Sequence, residues 1–540
     1  MTKFSYRSGS IAAAICAAAI ALPASRASAA PACAAGTTVQ TDKGAVCGIV
    51  VNGINSWQGI PHSAPPVGNL RWAPPQPAAA WSGTLNATAF ASRCTQASGG
   101  SEDCLYLNVW APPGAHGLAV MAHIHGGGFR GGSGAGDYSL LSSTGSVVVV
   151  SLNYRLNIFG FAANRAFGAN SGDYGLQDQQ AALHWVQRNV SAFGGDPHNV
   201  TIFGESAGGS SVCDQIASPT AAGLFHKGIS TSGQYNTIFE APALAGPLGT
   251  TLEVQDCKSR LPSLAEAEAI GDAFAAALGC SGPNVAACVR AVPTATVFSV
   301  AGLGYQYGGF GTIAPTINGT TLVASLAELL RTGRVNRVPV IAGTDRDENL
   351  AGTANTATDY ANFLQAQFGQ LASLVSAMYP LNRFASPGIA WRTIAADAYT
   401  VCSAMRTAAD LSRWMPVYQY LIEYADPWPQ AFTGVPSGAG HVRAWSLTPV
   451  TPTLDVNQQI LQNEELAHVT AFARTGNPTA DGTPIWPQFK FEESGKAGQV
   501  LSLNAGGSSQ ATTLSQIRLA HNCAFWDSIT PGSDRDRDDR

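Results

Sequence analysis

The chain has 540 residues, 45% of them hydrophobic and 12% charged, with a formal net charge of −5. That balance provides for a large folded core and excludes a polyanion-binding protein, because nucleic acid demands clustered positive charge. Length alone allows two or three domains, although α/β folds with insertions often run long as one unit.

Taken in order, the chain begins with Lys3 and Arg7, an apolar run from Ile11 to Leu22, and the small residues Ala27-Ser28-Ala29. This is the layout of a secretory signal peptide over residues 1–29. The apolar run is too short to span a bilayer, so the expectation is an exported chain, extracellular or periplasmic, with no integral membrane segment. Cleavage removes Cys16 and leaves ten cysteines, an even number suited to disulfides in an oxidising compartment. Cys94 and Cys104 would close a nine-residue loop and Cys280 and Cys288 a seven-residue one, while Cys33 and Cys47 could staple an N-terminal hairpin. Spacing by itself does not fix the connectivity.

Thr38 to Val51 alternates like an edge strand, and the Pro- and Gly-rich stretch Gln58 to Pro77 predicts a rigid surface loop. Leu105–Trp110 and Leu118–Ile124 read as strands. Val147–Leu152 is apolar on both faces, as a fully buried parallel strand must be. Leu176, Leu183, Val186 and Val190 mark an amphipathic helix over Asp178–Val190, which leads to a short strand at Asn199–Phe203 and a helix at Ala207–Ile216. Strand and helix alternate, so the fold class is α/β, a mostly parallel central sheet flanked by helices. Residues 236–337 and 359–414 are helical in pattern. They read as insertions into one domain spanning residues 30–530, because strands return at Val338–Gly343 and Val417–Tyr424. Residues 531–540 are charged enough to form a disordered, solvated tail.

The chemistry concentrates in Gly204-Glu205-Ser206-Ala207-Gly208, a G-x-S-x-G pattern lying between a strand and a helix. That turn lifts the Ser206 hydroxyl into the open and strains it, and the flanking glycines give the backbone room to double back. A serine nucleophile needs a base to take its proton and a carboxylate to orient the base. In this arrangement they follow in the order Ser, acid, His, each after a sheet strand. Asp345, Asp347 and Glu348 in GTDRDEN all satisfy the acid's position. Of ten histidines, His441 in SGAGHVRAW follows a strand after the acid; His184 and His468 fall in helical patterns, His123 in a strand and His62 in the Pro-rich loop. A tetrahedral intermediate also needs backbone N–H donors for its oxyanion. Gly127 and Gly128 of the HGGG run His125–Gly128, with Ala207 after the nucleophile, meet that need. None of this chemistry calls for a metal or an organic cofactor.

With these motifs in place, nearly the whole chain resembles the type-B carboxylesterase/lipase family of the α/β-hydrolase superfamily, the group that includes the cholinesterases. The resemblance runs through QGIPHSAPPVGNLRWAPPQP, SEDCLYLNVWAP, HGGGF, NYRLNIFGF, GLQDQQAALHWVQRNVSAFGGDPHNVTIFGESAGG, AGTDRDEN, FARTGNP and CAFWD. It implies an α/β-hydrolase fold and a secreted serine carboxylic-ester hydrolase acting on small-molecule or lipid esters. It assigns Ser206, Glu348 and His441 as the triad, which decides for Glu348 over Asp345 and Asp347, and Gly127, Gly128 and Ala207 as oxyanion donors. It further implies the disulfides Cys94–Cys104, Cys280–Cys288 and Cys402–Cys523, leaving Cys213 with Cys257, and the buried ion pairs Arg71–Glu102 and Arg155–Asp178. Two departures stand out. Ala444 lies where the family has an acid three residues after its histidine, and Asn349 replaces the glycine of DEG, which puts in doubt an auxiliary network through Ser232. The Cys94–Cys104 loop is short and lacks the Trp that cholinesterases use for a quaternary ammonium, so choline esters are not expected substrates. The rival readings are a lipase for long-chain acyl esters and a non-catalytic binding module on the same fold.

Overall fold

The computed structural model describes residues 32–233, 257, 261–301, 315–346, 354–423, 454–490 and 498–529. The proposed signal segment, Asp347, Glu348, Asn349, His441, Ala444 and the charged tail lie outside the described residues. A small sheet joins β1 (Val39–Gln40), β2 (Ala45–Cys47) and β5 (Thr84–Asn86). The large sheet takes β3 (Ile49–Val51), β4 (Ile54–Pro61), β6 (Tyr106–Ala111), β7 (Leu118–Ile124), β8 (Val148–Leu152), β9 (Gly195–Glu205), β10 (Lys227–Thr231), β11 (Val340–Asp345), β12 (Val417–Ile422), β13 (Gln499–Leu503) and β14 (Gln510–Thr513). Its spatial order is β14-β13-β12-β11-β10-β9-β7-β8-β6-β4-β3. From β13 to β8 every pairing is parallel, and the antiparallel pairs lie at the two margins.

Parallel strands require crossovers, and the helices that supply them cover both faces. Alternate residues divide cleanly between the two cores. Val120, Ala122, Ile124, Val148, Val150, Val200, Ile202, Val340 and Ala342 face one side, against Leu183 and Val186 of the helix Tyr174–Asn189 and Val212 and Ile216 of the helix Ala207–Ala217. Met121, Val149, Phe203, Ile229, Ile341 and Tyr420 face the other, against Leu461, Val469 and Phe472 of the helix Val456–Thr475. The apolar-on-both-faces pattern of β8 is thus the signature of a strand between two helical layers. No described helix is long and apolar enough to cross a membrane.

Five disulfides are formed: Cys33–Cys47, Cys94–Cys104, Cys213–Cys257, Cys280–Cys288 and Cys402–Cys523. The last joins the helix Cys402–Ser412 to the C-terminal helix Cys523–Ile529 around the buried Trp391 and Trp526. The stretch Gln58–Pro77 departs from the expected surface loop. Gln58–Pro61 complete β4, and Arg71 and Trp72 turn inward, with Trp72 stacked against Phe159 and Phe167 at 6.0 and 5.2 Å.

Arg71 meets Glu102 through two bonds, Nε to Oε2 at 2.7 Å and Nη2 to Oε1 at 2.5 Å. Arg155 meets Asp178 in the same two-pronged way at 2.7 and 2.8 Å, with both side chains buried. A buried pair contributes little net stability, but removing one partner strands a charge in a low dielectric. Asp178→Ala should therefore cost about 3–5 kcal/mol of unfolding free energy, read from the urea midpoint. Glu268→Ala, which breaks the pair with the exposed Arg165, should cost no more than about 1 kcal/mol.

Candidate active site

β9 ends at Glu205, and the helix Ala207–Ala217 starts two residues later, so Ser206 alone makes the turn. It does so at φ 57°, ψ −123°, a conformation that side-chain-bearing residues rarely hold unless their surroundings enforce it. The enforcement is visible. Ser206 N donates to Thr231 O of β10 at 3.0 Å, and Ser206 O accepts from Ser210 N at 2.8 Å. The helix then crosses so close to β7 that a Cβ on Gly208 would sit 2.1 Å from Ile124 O. Glycine is obligatory there because no side chain fits. Behind the helix, Gln215 donates to Gln179 Oε1 at 2.9 Å, Gln180 donates to Gln215 Oε1 and Ser218 Oγ, and Gln179 donates to Ser211 Oγ at 3.0 Å. These buried amides lock the elbow helix to the helix Tyr174–Asn189, and the Cys213–Cys257 disulfide tethers it on a further side.

The HGGG run leaves the end of β7 beside this turn. A Cβ on Gly126 would lie 3.3 Å from Ser206 Cβ, so the loop and Ser206 are neighbours. Planar trans peptides point their C=O and N–H in opposite directions, so whatever holds a carbonyl also aims the next residue's N–H. Gly126 O lies 2.9 Å from His125 Nδ1, which fixes the peptide that carries the Gly127 N–H. Gly127 O accepts from Arg130 N and Gly131 N, both at 3.0 Å, which fixes the peptide that carries the Gly128 N–H. Gly127 reaches this geometry at φ 106°. Among the described residues neither N–H is taken up by a neighbour. Ala207 N–H is the first of the elbow helix and has no acceptor within it, so it adds a donor at the positive end of the helix dipole. The HGGG loop, through Gly126, and the start of the elbow helix, through Ala207, thus both adjoin Ser206.

His125 can hold Gly126 O only with a proton on Nδ1, which in the neutral ring selects the Nδ1–H tautomer. Burial lowers its pKa to about 4, opposed by the bond to Gly126. Its ring stacks on Tyr154 at 4.4 Å, and Tyr154 Oη donates to His125 O at 2.8 Å. Asn157 N donates to Phe129 O at 2.7 Å and Asn157 Nδ2 to Thr95 O at 2.8 Å, pinning the far side of the loop. These orienting roles of His125, Tyr154 and Asn157 had no signal in spacing. Asp345, one of three acids open on spacing, is buried at the end of β11. Ser232 lies at 3.3 Å from Thr344 Oγ1. Glu348 and His441 are outside the described residues, so the structure leaves their meeting with Ser206 undescribed.

The sequence model of the carboxylesterase family matches residues 35–526. The chain belongs to that family. It is 36% identical over 427 residues to a fumonisin B1 esterase from Sphingopyxis macrogoltabida, covering 74% of this chain and 71% of that one. It is 34% identical to a para-nitrobenzyl esterase from Bacillus subtilis (strain 168), covering 84% and 93%, and 30% identical to carboxylesterase 1D from Rattus norvegicus, covering 91% and 93%. Among solved structures a PNB esterase superposes with a TM-score of 0.73 at 28% identity, over 90% of this chain and 99% of that one. Fold and enzyme class agree: this is an α/β hydrolase of the carboxylesterase family that hydrolyses esters.

Two predictions follow from the geometry of this carboxylesterase. Gly208→Ala should displace β7 from the elbow and abolish activity with p-nitrophenyl acetate, with a lower melting temperature. The second concerns three buried histidines. Burial lowers His62 and His125 to about 4 and His123, with His125 nearby, to about 3, from an ordinary 6.5. The unfolded chain binds these protons below pH 6.5 and the folded chain does not, so stability is full above that pH and is lost as pH falls toward 4. The urea midpoint should decline between pH 7 and pH 4.5; a flat profile would contradict the assignment.

Proposed function

We propose that the protein is a secreted serine carboxylesterase that works through a Ser206–His441–Glu348 triad and an acyl-enzyme. The observation that carries this reading is the forced turn at Ser206, set against a loop whose Gly127 and Gly128 N–H groups make no backbone hydrogen bond among the described residues. An ester carbonyl has its carbon beside Ser206 Oγ and its oxygen among the three N–H donors. His441 takes the Ser206 proton as the Oγ–carbon bond forms, and Glu348 holds the imidazole in the tautomer that can accept it. The oxyanion draws on Gly127, Gly128 and Ala207, which are worth most while charge is on the oxygen. Collapse expels the alcohol, which receives the proton from His441. Water then repeats the sequence on the acyl-Ser206 ester and releases the acid.

The layout of residues 1–29 and the five disulfides support export to an oxidising compartment. One hydrolase domain over residues 30–530 with two helical insertions accords with this reading. Small soluble esters are the proposed substrates, in line with the para-nitrobenzyl esterase relative.

Ser206→Ala should lower kcat for p-nitrophenyl acetate by roughly 10⁵-fold or more, and Glu348→Gln by roughly 10⁴-fold. Diethyl p-nitrophenyl phosphate should add one diethylphosphoryl group, mapped to Ser206 by peptide mass. A label on another residue, or a Ser206→Ala protein at the unsubstituted rate, would sink the mechanism.

A further inference from the structure

Gln96 lies inside the loop closed by the Cys94–Cys104 disulfide and is only 7% exposed. Its side-chain amide grips Gly132, beyond the oxyanion glycines, at both backbone groups. Nε2 donates to Gly132 O at 2.8 Å, and Oε1 accepts from Gly132 N at 3.1 Å. The same Nε2 donates to Cys94 O at 3.0 Å. Gln96 is itself held, since its N–H and C=O pair with Gly99 at 3.0 and 2.9 Å. A side chain fixed at its backbone and closed into a ring by a disulfide is a rigid arm.

What that arm holds is adjacent to the donors. Gly132 passes so close to the HGGG run that a Cβ on it would lie 2.4 Å from both Gly126 O and His125 Nδ1, the two atoms whose contact aims the Gly127 N–H. The segment from Gly127 to Gly132 is therefore tied at one end by the turn onto Gly127 O and at the other by Gln96.

We propose that Gln96 is a positioning residue for the oxyanion donors. Its amide keeps Gly132 seated against Gly126 O and the His125 ring, and so keeps the Gly127 and Gly128 N–H groups on the oxygen that becomes charged in acyl transfer. The covalently closed Cys94–Cys104 loop is thereby coupled to transition-state stabilisation. This inference rests on Ser206 being the nucleophile. A glutamine that merely filled the loop would change stability and leave turnover per working site alone.

The test uses the full secreted chain with Gln96→Met, which keeps the length and loses both hydrogen-bonding groups, and Gln96→Glu, which keeps the acceptor for Gly132 N and loses the donor when ionised. Working sites are counted by diethylphosphoryl labelling of Ser206, so misfolded molecules drop out. Per labelled site, kcat for p-nitrophenyl acetate should fall roughly tenfold in the methionine variant, less than the loss of a whole donor. KM should stay within about twofold, as expected for an interaction made in the transition state. Affinity for an alkyl trifluoromethyl ketone, which forms a tetrahedral adduct, should fall by the same factor as kcat, and affinity for the matching methyl ketone should not change. The glutamate variant, whose second carboxylate oxygen would face Gly132 O and Cys94 O, should fall at least as far, and it decides the matter if the methionine variant does not fold. Unchanged kcat per labelled site with unchanged trifluoromethyl ketone affinity overturns the role of Gln96. Failure of Ser206 to label in the unsubstituted protein overturns the serine-esterase reading and this role with it.

Discussion

The contact on which the rest depends is the passage of the elbow helix over the end of β7. Ile124 pairs with Gly204 in the sheet, and its carbonyl lies where a Cβ on Gly208 would have to go. That one approach brings the end of β7, from which the HGGG run departs, to the turn that holds Ser206. Ser206 and the glycine loop are then fixed by the same backbone atoms, and neither can move without the other. The energy for holding Ser206 in a rare conformation comes from the core on both sides of β7 to β11, where each fully buried aliphatic or aromatic side chain contributes about 1.5–3 kcal/mol.

Around that contact the protein aims peptide groups by anchoring their opposite ends. His125 holds Gly126 O, and Arg130 and Gly131 hold Gly127 O, so each N–H is directed by a bond made on the other side of its peptide plane. Such a site needs few reactive side chains near the oxyanion. It needs a dense set of orienting ones, and the buried amides of Gln179, Gln180 and Gln215 belong to that set. In the proposed mechanism, preorganised dipoles of this kind do not have to reorient as charge develops, which is where their catalytic value lies.

The sheet, the elbow and the glycine loop were legible in the sequence because each depends on local pattern. Val147–Leu152 betrayed its burial by being apolar on both faces, and Gly204–Gly208 needed only its flanking strand and helix. β9 proved longer than Asn199–Phe203 because Gly195 pairs with Leu118 ahead of an irregularity that ends where Val200 meets Val120, an extension that the propensities of Gly195, Asp196 and Pro197 oppose. The local pattern of Gln58–Pro77 hid two core residues: the Arg71–Glu102 pair was expected through the family resemblance alone, and Trp72 is buried by Phe159 and Phe167, far along the chain. The orienting side chains were illegible for the same reason. Asn157 acts on Phe129 and Thr95, and Tyr154 on His125, contacts that exist only once the chain has folded.

The most direct measurement is a crystal structure of the protein after reaction with diethyl p-nitrophenyl phosphate, whose phosphoryl oxygen stands for the oxyanion. The account predicts phosphorus bonded to Ser206 Oγ and that oxygen about 2.7–3.1 Å from the backbone nitrogens of Gly127, Gly128 and Ala207. An adduct on another residue, or a phosphoryl oxygen facing away from the glycine loop, would contradict it.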